Sequence, residues 1–311
     1  GLIAVFSLVN LKKRSQLLGT AGIIFVTYCI AHLSIMIMQE GTWHNIELNN
    51  LYAFGGAATL TLLSYPLIYV FEKIFGFLSD VTLMELSDTN STLLRNLATK
   101  TPGTFQHSMQ VANLAEIAIQ KIGGNPLLVR TGALYHDIGK LEAPQFFIEN
   151  QVSGFNPHDD LEPRESARII INHVIKGVEL AKKHNLPEVL IDFIRTHHGT
   201  SQVKYFLFKE KEENPNQEID ASNFSYPGPI PFSKETAVLM MADSCEAASR
   251  SLKTYTAESV NKLIDGIIDG QAKEGQFANA DITFKDITTI KSIFKKMLLN
   301  IYHVRVEYPK G

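Results

Sequence analysis

The side chains that could do chemistry in this chain are histidines and aspartates at five separated places. They are His107, the pair His136 and Asp137, His173, the pair His197 and His198, and Asp243. Imidazole nitrogens and carboxylate oxygens suit Mn, Fe, Zn or Ni, and a carboxylate can bridge two such ions. Two ions about 3.5–4 Å apart can hold the attacking and leaving oxygens of an in-line displacement at phosphorus. The pattern therefore predicts a two-metal phosphohydrolase.

The arrangement of these residues carries more weight than any one of them, because a single histidine in a helical protein is usually a surface or packing residue. His136 and Asp137 adjoin at a predicted helix end, where neighbouring side chains can converge on one site. His197 and His198 adjoin in the same way. Asp243 lies in an otherwise apolar helical segment, where an unpaired carboxylate is costly. The alternative for Asp243 is a helix-capping or salt-bridged core residue.

The elements that must position these residues are predicted to be helices, because apolar residues recur at helical spacing between proline starts and glycine stops. The predicted helices run over residues 102–123, 126–136, from 163 onward, 187–197, 234–252, 257–273 and 284–299. No run of alternating strands and no internal repeat is visible, so we expect an all-α fold. Residues 209–231 are polar and rich in Pro, Asn and Glu, which predicts a loop or lid.

The N-terminal part of the chain is typical of a membrane domain. Residues 17–38 contain no Asp, Glu, Lys or Arg, and residues 51–71 repeat this pattern. Each run has about the twenty residues that cross a hydrocarbon core as a helix. The alternative is a pair of buried helices in a large soluble protein. Residues 1–11 are a candidate for the end of an earlier span, so we expect the C-terminal part of a longer multi-span protein.

Basic residues predict the orientation of the two spans. Lys12, Lys13 and Arg14 precede the first span, whereas residues 39–50 contain no Lys or Arg. The positive-inside rule then places the basic triplet, and everything after the second span, in the cytoplasm. We expect a multi-pass protein of the cell inner (plasma) membrane. Its predicted parts are a transmembrane region (1–76), a connecting helix (77–100) and a cytoplasmic domain (101–311).

The order of the histidines and aspartates resembles the HD superfamily of metal-dependent phosphohydrolases. Wider motifs are similar to those of the 7TM-HD proteins, namely residues 102–108 (PGTFQHS), 136–140 (HDIGK), 147–151 (FIENQ), 156–159 (NPHD), 226–229 (YPGP) and 242–248 (ADSCEAA). The resemblance implies an HD-domain helical bundle. It also implies a PgpH-type cyclic di-AMP phosphodiesterase, which opens the cyclic dinucleotide to linear pApA with a two-metal-activated hydroxide.

The resemblance also implies a division of the ligands between two divalent ions. One ion is held by His107, His136, Asp137 and Asp243, and the other by His173, His197 and His198, with Asp137 bridging them. Mn and Fe suit mixed imidazole and carboxylate sites almost equally, so these are the two metals expected.

Three other polar residues near the motifs are candidates for the site. Lys140, three residues after Asp137, is a candidate catalytic group that reaches a phosphate oxygen as a mobile cation, and the alternative is a solvated surface lysine. Asn150 and His158 are candidates to line the substrate cleft, and His158 has a structural role as its favoured alternative.

Three further functions compete with a cyclic di-AMP phosphodiesterase. A cyclic di-GMP phosphodiesterase of the HD-GYP type carries Glu-Arg and then Gly-Tyr-Pro after its paired histidines, whereas this chain has residues 199–202 (GTSQ). A mononuclear HD hydrolase acting on (p)ppGpp or a dNTP needs only four of the ligands. A membrane receptor would bind a nucleotide without cutting it, but a degenerate member is expected to have lost ligands, and all seven positions are filled.

The expected partners follow from this interpretation and from the charge. They are cyclic di-AMP and the lipid bilayer, with a homodimer as a further candidate. The formal net charge of −3 gives no bulk attraction to a polyanion, so a DNA or RNA polymer is not expected.

Overall fold

The computed structural model describes residue 2 and residues 16–41, 48–151 and 156–303. The chain forms two compact units, Gly1–Leu86 and Ser87–Gly311. Apart from residue 2, the earlier span predicted over residues 1–11 lies outside the described residues.

Helices make up most of the described chain, and no β-strand occurs in it, so the all-α prediction is confirmed. In chain order the α-helices are α1 (Gln16–Glu40), α2 (Leu48–Phe75), α3 (Asp80–Leu86), α4 (Thr92–Lys100), α5 (Pro102–Ile122), α6 (Pro126–Tyr135), α7 (Pro163–Lys183), α8 (Glu188–Thr196), α9 (Lys204–Glu213), α10 (Lys234–Ser249), α11 (Ala257–Lys273) and α12 (Phe284–His303).

The first unit contains two helices long and apolar enough to cross a membrane, Leu18–Gln39 and Asn49–Phe75. Few of their apolar side chains are buried, which favours membrane spans over the alternative of two buried core helices in a soluble protein. His32 of α1 faces α2, where its Nε2 accepts a hydrogen bond from Asn50 Nδ2 at 3.3 Å. Its ring also packs edge-on against Phe54. His32 therefore packs the two helices together.

The prediction of one connecting helix over residues 77–100 is wrong, because the chain turns between α3 and α4. Asp88 accepts hydrogen bonds from the backbone and side-chain nitrogens of Asn90, and its carbonyl accepts one from the Ser91 amide. Aspartate and asparagine favour such turns because their short side chains replace backbone hydrogen bonds. The boundary between the two compact units, after Leu86, falls inside the predicted connecting helix.

The second unit is built around α5, which packs against α6, α10 and α12. Pro102 begins α5 because its missing N–H is not needed in the first turn, and Gly123 ends it with a φ of 78°. The apolar faces of these helices form the core, in which Leu114, Leu134 and Phe294 are fully buried.

The prediction of a loop over residues 209–231 is wrong for part of that range. Helix α9 extends into it as far as Glu213, and a short 3-10 helix spans Ala221–Phe224. Phe206 and Phe224 pack with Ala167 of α7 in a small apolar core, which explains why this polar sequence still folds.

Candidate metal centre

The second unit brings all seven predicted ligands to one place. They come from the first turns of α5 (His107), the end of α6 (His136, Asp137), the middle of α7 (His173), the end of α8 (His197, His198) and the middle of α10 (Asp243). Six of them are buried, and the His198 side chain is 24% exposed. Residues separated by 136 positions in sequence thus share one site.

Asp137 lies at the centre of this cluster, and its two carboxylate oxygens face different histidines. Oδ2 lies 3.3 Å from His136 Nε2 and 3.7 Å from His107 Nε2. Oδ1 lies 3.3 Å from His173 Nε2 and 3.6 Å from His197 Nε2. A carboxylate placed in this way can bridge two ions, one on each side.

Asp243 supplies the second carboxylate and contacts three of the histidines. Its Oδ1 lies 2.8 Å from His107 Nε2 and 3.5 Å from His136 Nε2. Its Oδ2 lies 3.8 Å from His198 Nδ1, although His198 belongs to the other ligand group implied by the resemblance. His173, His197 and His198 still form a compact trio, in which one ligand atom from each lies within 4.8 Å of the others.

Backbone contacts fix the orientation of three of the imidazoles. The Nδ1 atoms of His136, His173 and His197 lie 2.5–2.8 Å from the carbonyl oxygens of Ala133, Ile170 and Ile194, respectively. A carbonyl oxygen can only accept, so each Nδ1 carries the proton and donates it. In the neutral ring, Nε2 then keeps a free lone pair that faces the centre of the cluster.

The buried polar atoms at the centre fit a metal ion. Among the described residues, neither His136 Nε2 nor Asp137 Oδ1 has a hydrogen-bond partner, although both are buried. Such unsatisfied atoms are costly in a protein interior unless an ion or water meets them. The donor set of imidazole nitrogens and carboxylate oxygens is the one that divalent transition metals prefer.

The local charges shift the pKa values of the cluster in opposite directions. Burial alone would raise the pKa of Asp137, but Lys140 and His136 outweigh it and hold that pKa well below its ordinary value. Burial would likewise lower the pKa of His136, but Asp137 and Asp243 raise it to about 10. Burial lowers the pKa of His197, and that of His198 further, so these two rings are neutral and ready to bind a metal.

Lys140 is held in the site by two carboxylates. Its Nζ lies 2.7 Å from Asp137 Oδ2 and 2.8 Å from Glu149 Oε1, and the side chain is 12% exposed. Thr104 donates its hydroxyl to the same Glu149 oxygen and accepts a hydrogen bond from Asn150. The alternative of a solvated surface lysine is therefore wrong.

A tight backbone contact holds the Asp137 segment against α7. A Cβ on Gly139 would lie 1.8 Å from the carbonyl oxygen of His173 and 2.5 Å from the amide nitrogen of Gly177. Only glycine, which has no Cβ, lets the two backbone segments approach so closely. This contact brings Asp137 and His173 within reach of each other.

The site opens into a cavity of about 370 Å³. Asp137 and Asp243 line it together with two cations, Lys140 and Arg250. Ile148, which is 84% exposed, and Ala247 add apolar surface. A cavity of this size with a few convergent polar groups is typical of a small-molecule site.

Asn150 and His158, the other two candidates from the sequence, both contact neighbouring protein groups. Asn150 hydrogen-bonds both the backbone and the hydroxyl of Thr104, and His158 donates to the carbonyl of Phe146 at 2.9 Å while packing on Phe206. Both have structural contacts, as the alternative for His158 anticipated.

Sequence reasoning gave no role to Glu246 or Arg250. Glu246 contacts His107, and Arg250 pairs with Glu246. Glu246 lies three residues after Asp243, and Arg250 lies four residues after Glu246. This spacing is the signal that puts all three on one helix face.

Comparison with known proteins agrees with this geometry. Residues 104–248 match the model of the HD domain, and residues 1–79 match that of the 7TM receptor with intracellular HD hydrolase. The cyclic-di-AMP phosphodiesterase PgpH of Bacillus subtilis is 41% identical over the whole chain, and that of Listeria monocytogenes is 40% identical over 99% of it. The chain spans 44% and 43% of the length of these two relatives.

A solved structure is also similar to this protein, and it contains an HD domain. The crystal structure of the L. monocytogenes PgpH HD domain in complex with cyclic-di-AMP matches with a TM-score of 0.67 and 45% identity, covering 69% of this chain and all of that one. The matching 7TM model and the two apolar helices indicate a membrane protein. The chain therefore belongs to the family of 7TM-HD proteins that includes PgpH.

Proposed function

We propose that this protein is a metal-dependent phosphodiesterase that hydrolyses cyclic di-AMP to linear pApA. The observation that carries the proposal is the convergence of all seven predicted ligands on one site, in which Asp137 contacts four of the histidines, next to a cavity lined by Lys140 and Arg250. The matched HD domain whose crystal structure contains cyclic-di-AMP supports this choice of substrate.

Two divalent ions, Mn or Fe, are the proposed cofactors. His107, His136 and Asp243 would hold one ion, and His173, His197 and His198 would hold the other. Asp137 would bind both ions, because its two oxygens face histidines of both groups. When bound, such ions lower the pKa of water to give a nucleophile near neutral pH and neutralise charge on phosphate oxygens.

The protein's own groups bind and orient the substrate around this centre. The cations of Lys140 and Arg250 lie along the cavity and attract the two phosphates of a cyclic dinucleotide. The apolar surface of Ile148 and Ala247 suits a base. The buried ligand cluster fixes one phosphodiester for in-line attack and departure of its 3′ oxygen, so no covalent protein nucleophile is required.

Hydrolysis by the purified chain in detergent micelles tests the proposal. Cyclic di-AMP and cyclic di-GMP are compared with added Mn²⁺ and with chelator, and products are separated by chromatography. We expect metal-dependent conversion of cyclic di-AMP to pApA, and poor cleavage of cyclic di-GMP. The double variant His136→Ala with Asp137→Ala is expected to be inactive, while Glu116→Gln, on the outer surface of α5, keeps wild-type turnover.

Two results would contradict the proposal. Saturable binding of cyclic di-AMP without turnover would favour the receptor that senses a nucleotide without cutting it. Preferential cleavage of cyclic di-GMP would change the substrate. Light scattering of the same sample tests the expected homodimer.

We also propose that the protein is multi-pass and that its HD domain lies in the cytoplasm. The support is the basic triplet at residues 12–14 before the first apolar helix and the lack of Lys and Arg in residues 39–50. Reporters fused to the C-terminus test the orientation. A fluorescent protein is expected to be active there, and alkaline phosphatase, which needs the outside of the cell, is expected to be inactive.

A further inference from the structure

The His107 ring is held by a different kind of partner from the three imidazoles that contact backbone carbonyls. The rings of His136, His173 and His197 each donate Nδ1–H to a carbonyl three residues earlier in their own segment. The Nδ1 of His107 instead lies 2.5 Å from Glu246 Oε2, a residue 139 positions away on α10. A carboxylate can only accept, so Nδ1 donates, and His107 depends on a side chain from another helix for its orientation.

Glu246 lies deep enough in the protein for its charge to need compensation. Its side chain is 4% exposed, and both of its oxygens accept hydrogen bonds from Arg250. The shortest joins Arg250 Nη2 to Oε1 at 2.7 Å. A buried carboxylate is tolerated when a cation pairs with it in good geometry, and the planar guanidinium can meet both oxygens. Arg250 lies just after the end of α10, where the helix dipole also favours a cation.

Helix α10 therefore holds the His107 ring at both nitrogens. Asp243 Oδ1 lies 2.8 Å from Nε2, and Glu246 Oε2 lies 2.5 Å from Nδ1. Asp243 and Glu246 are three residues apart, so their side chains lie on the same face of the helix. In the metal centre proposed above, His107 Nε2 and Asp243 would both hold the ion, while Glu246 contacts the opposite nitrogen of the ring.

We propose that Glu246 is a positioning residue for His107 and that Arg250 is its counter-ion. The inference rests on the proposed metal centre. Glu246 fixes the tautomer that carries the proton on Nδ1, so the lone pair of Nε2 is free to bind the ion. Its negative charge also makes Nε2 a stronger electron-pair donor to the metal. Partners of this kind, behind metal-bound histidines, change metal affinity by about 10- to 100-fold when they are removed.

Metal titration of the full chain in detergent micelles, without substrate, tests this assignment. Free Mn²⁺ is followed by electron paramagnetic resonance in wild type, Glu246→Gln and Glu246→Ala. The amide oxygen of Gln still accepts the Nδ1 proton but carries no charge, so about a 10-fold loss of affinity at one site is expected. Ala removes the contact, and a loss of about 100-fold is expected.

Cobalt spectroscopy supplies a readout that a merely structural role would not change. Co²⁺ replaces Mn²⁺, and its visible absorption bands report which donors surround the ion. Glu246→Ala is expected to shift these bands because His107 turns away, and Glu246→Gln is expected to restore most of the wild-type spectrum. Thermal unfolding in chelator checks that each variant is folded.

Glu116→Gln is the matched control. Glu116 also pairs with an arginine of this unit, Arg130, at 2.7 Å, but its side chain is 36% exposed and it lies away from the ligands. Its metal affinity and cobalt spectrum are expected to equal those of wild type. If Glu246→Ala does not fold, the same metal titration is done with Glu246→Gln and Arg250→Gln, which are both expected to bind Mn²⁺ more weakly than wild type.

The outcomes separate this inference from the proposed function. Wild-type Mn²⁺ affinity in folded Glu246→Gln and Arg250→Gln would overturn the positioning role, whether or not the protein cuts cyclic di-AMP. A wild-type chain that binds Mn²⁺ but leaves cyclic di-AMP intact would overturn the substrate, and the titration would still decide the role of Glu246. A wild-type chain that binds no Mn²⁺ or Co²⁺ would overturn both.

Discussion

The Oδ1 atom of Asp137 lies 3.3 Å from the Nε2 atom of His173, while the other oxygen of the same carboxylate faces His136 and His107. One short side chain thus joins histidines from α5, α6 and α7. Because each oxygen faces a separate group of nitrogens, Asp137 is the residue whose loss should affect both proposed ions.

Substitution Asp137→Asn should lower turnover of cyclic di-AMP by about 10²-fold or more, because charge stabilisation at the reacting phosphate is usually the largest catalytic effect. The amide keeps the shape of the side chain but offers one oxygen and no charge. Bound Mn²⁺ per chain, measured by elemental analysis, should fall below two. Asp192→Asn, in α8 of the same unit, is the control and should keep wild-type metal content. Two full-affinity ions in Asp137→Asn would contradict the bridging role.

Substitution Lys140→Met should lower kcat for cyclic di-AMP by about 10²-fold, the effect of losing one group that stabilises charge in a transition state. It should not weaken Mn²⁺ binding, because removing a cation 2.7 Å from Asp137 reduces repulsion of the metal. Steady-state kinetics at saturating Mn²⁺ and a metal titration separate the two effects. Unchanged kcat would show that Lys140 serves only to pair with Asp137 and Glu149.

Substitution Gly139→Ala should lower the free energy of unfolding by about 1–3 kcal/mol, the usual cost of overpacking. The new methyl would meet the His173 carbonyl oxygen, a backbone atom that cannot rotate away. Gly266→Ala is the matched control, because nothing lies within 4 Å of its added Cβ in the exposed middle of α11. For this variant, the free energy of unfolding is expected to rise by up to about 1 kcal/mol, because alanine has a higher helix propensity than glycine. Denaturant unfolding of both variants checks the contrast, and equal stability would contradict the close packing.

The metal-free protein should lose stability as the pH rises from 6.5 to about 10. Folding raises the pKa of His136 from 6.5 to about 10, so the folded state binds this proton more tightly than the unfolded chain. The resulting stabilisation is fully present below pH 6.5, and it disappears as the pH rises through the pKa that His136 has in the folded protein. Denaturant unfolding in chelator at successive pH values measures it.

The acid side of the same profile should follow the aspartates. The pKa values of Asp137 and Asp243 are held well below 3.8, so their contribution is present above that value and is lost as the pH falls further. His136→Gln should make the decline at high pH smaller; part of it remains because the burial of His107 is outweighed by Asp243 and Glu246, which raise the pKa of that ring as well. A wild-type profile that is flat from pH 6.5 to 10 would contradict the charge arrangement described for this cluster.

Much of the fold was predictable because its signals are local. Pro102 begins α5 and Gly123 ends it, since proline suits the first turn of a helix and glycine tolerates the left-handed conformation after the last. Two apolar runs without charge were sufficient to predict the two helices that can cross a membrane. The turn at Asp88 and the helix α9 were missed. The turn depends on hydrogen bonds to Asp88, and α9 depends on packing of Phe206 against a distant helix.

The sequence by itself determined which donor types the site offers, and so predicted the kind of chemistry, because the ligand types and their order along the chain are properties of individual residues. It also determined that these residues lie on helices, because helical periodicity and end signals extend over only a few residues.

Tertiary structure alone decided which atoms meet. The two oxygens of Asp137 face opposite groups of histidines because Gly139 lets its segment press against α7. Glu246 reaches His107 because α10 packs beside α5. Contacts between residues 139 positions apart depend on how helices pack, and spacing along the chain carries no information about that geometry.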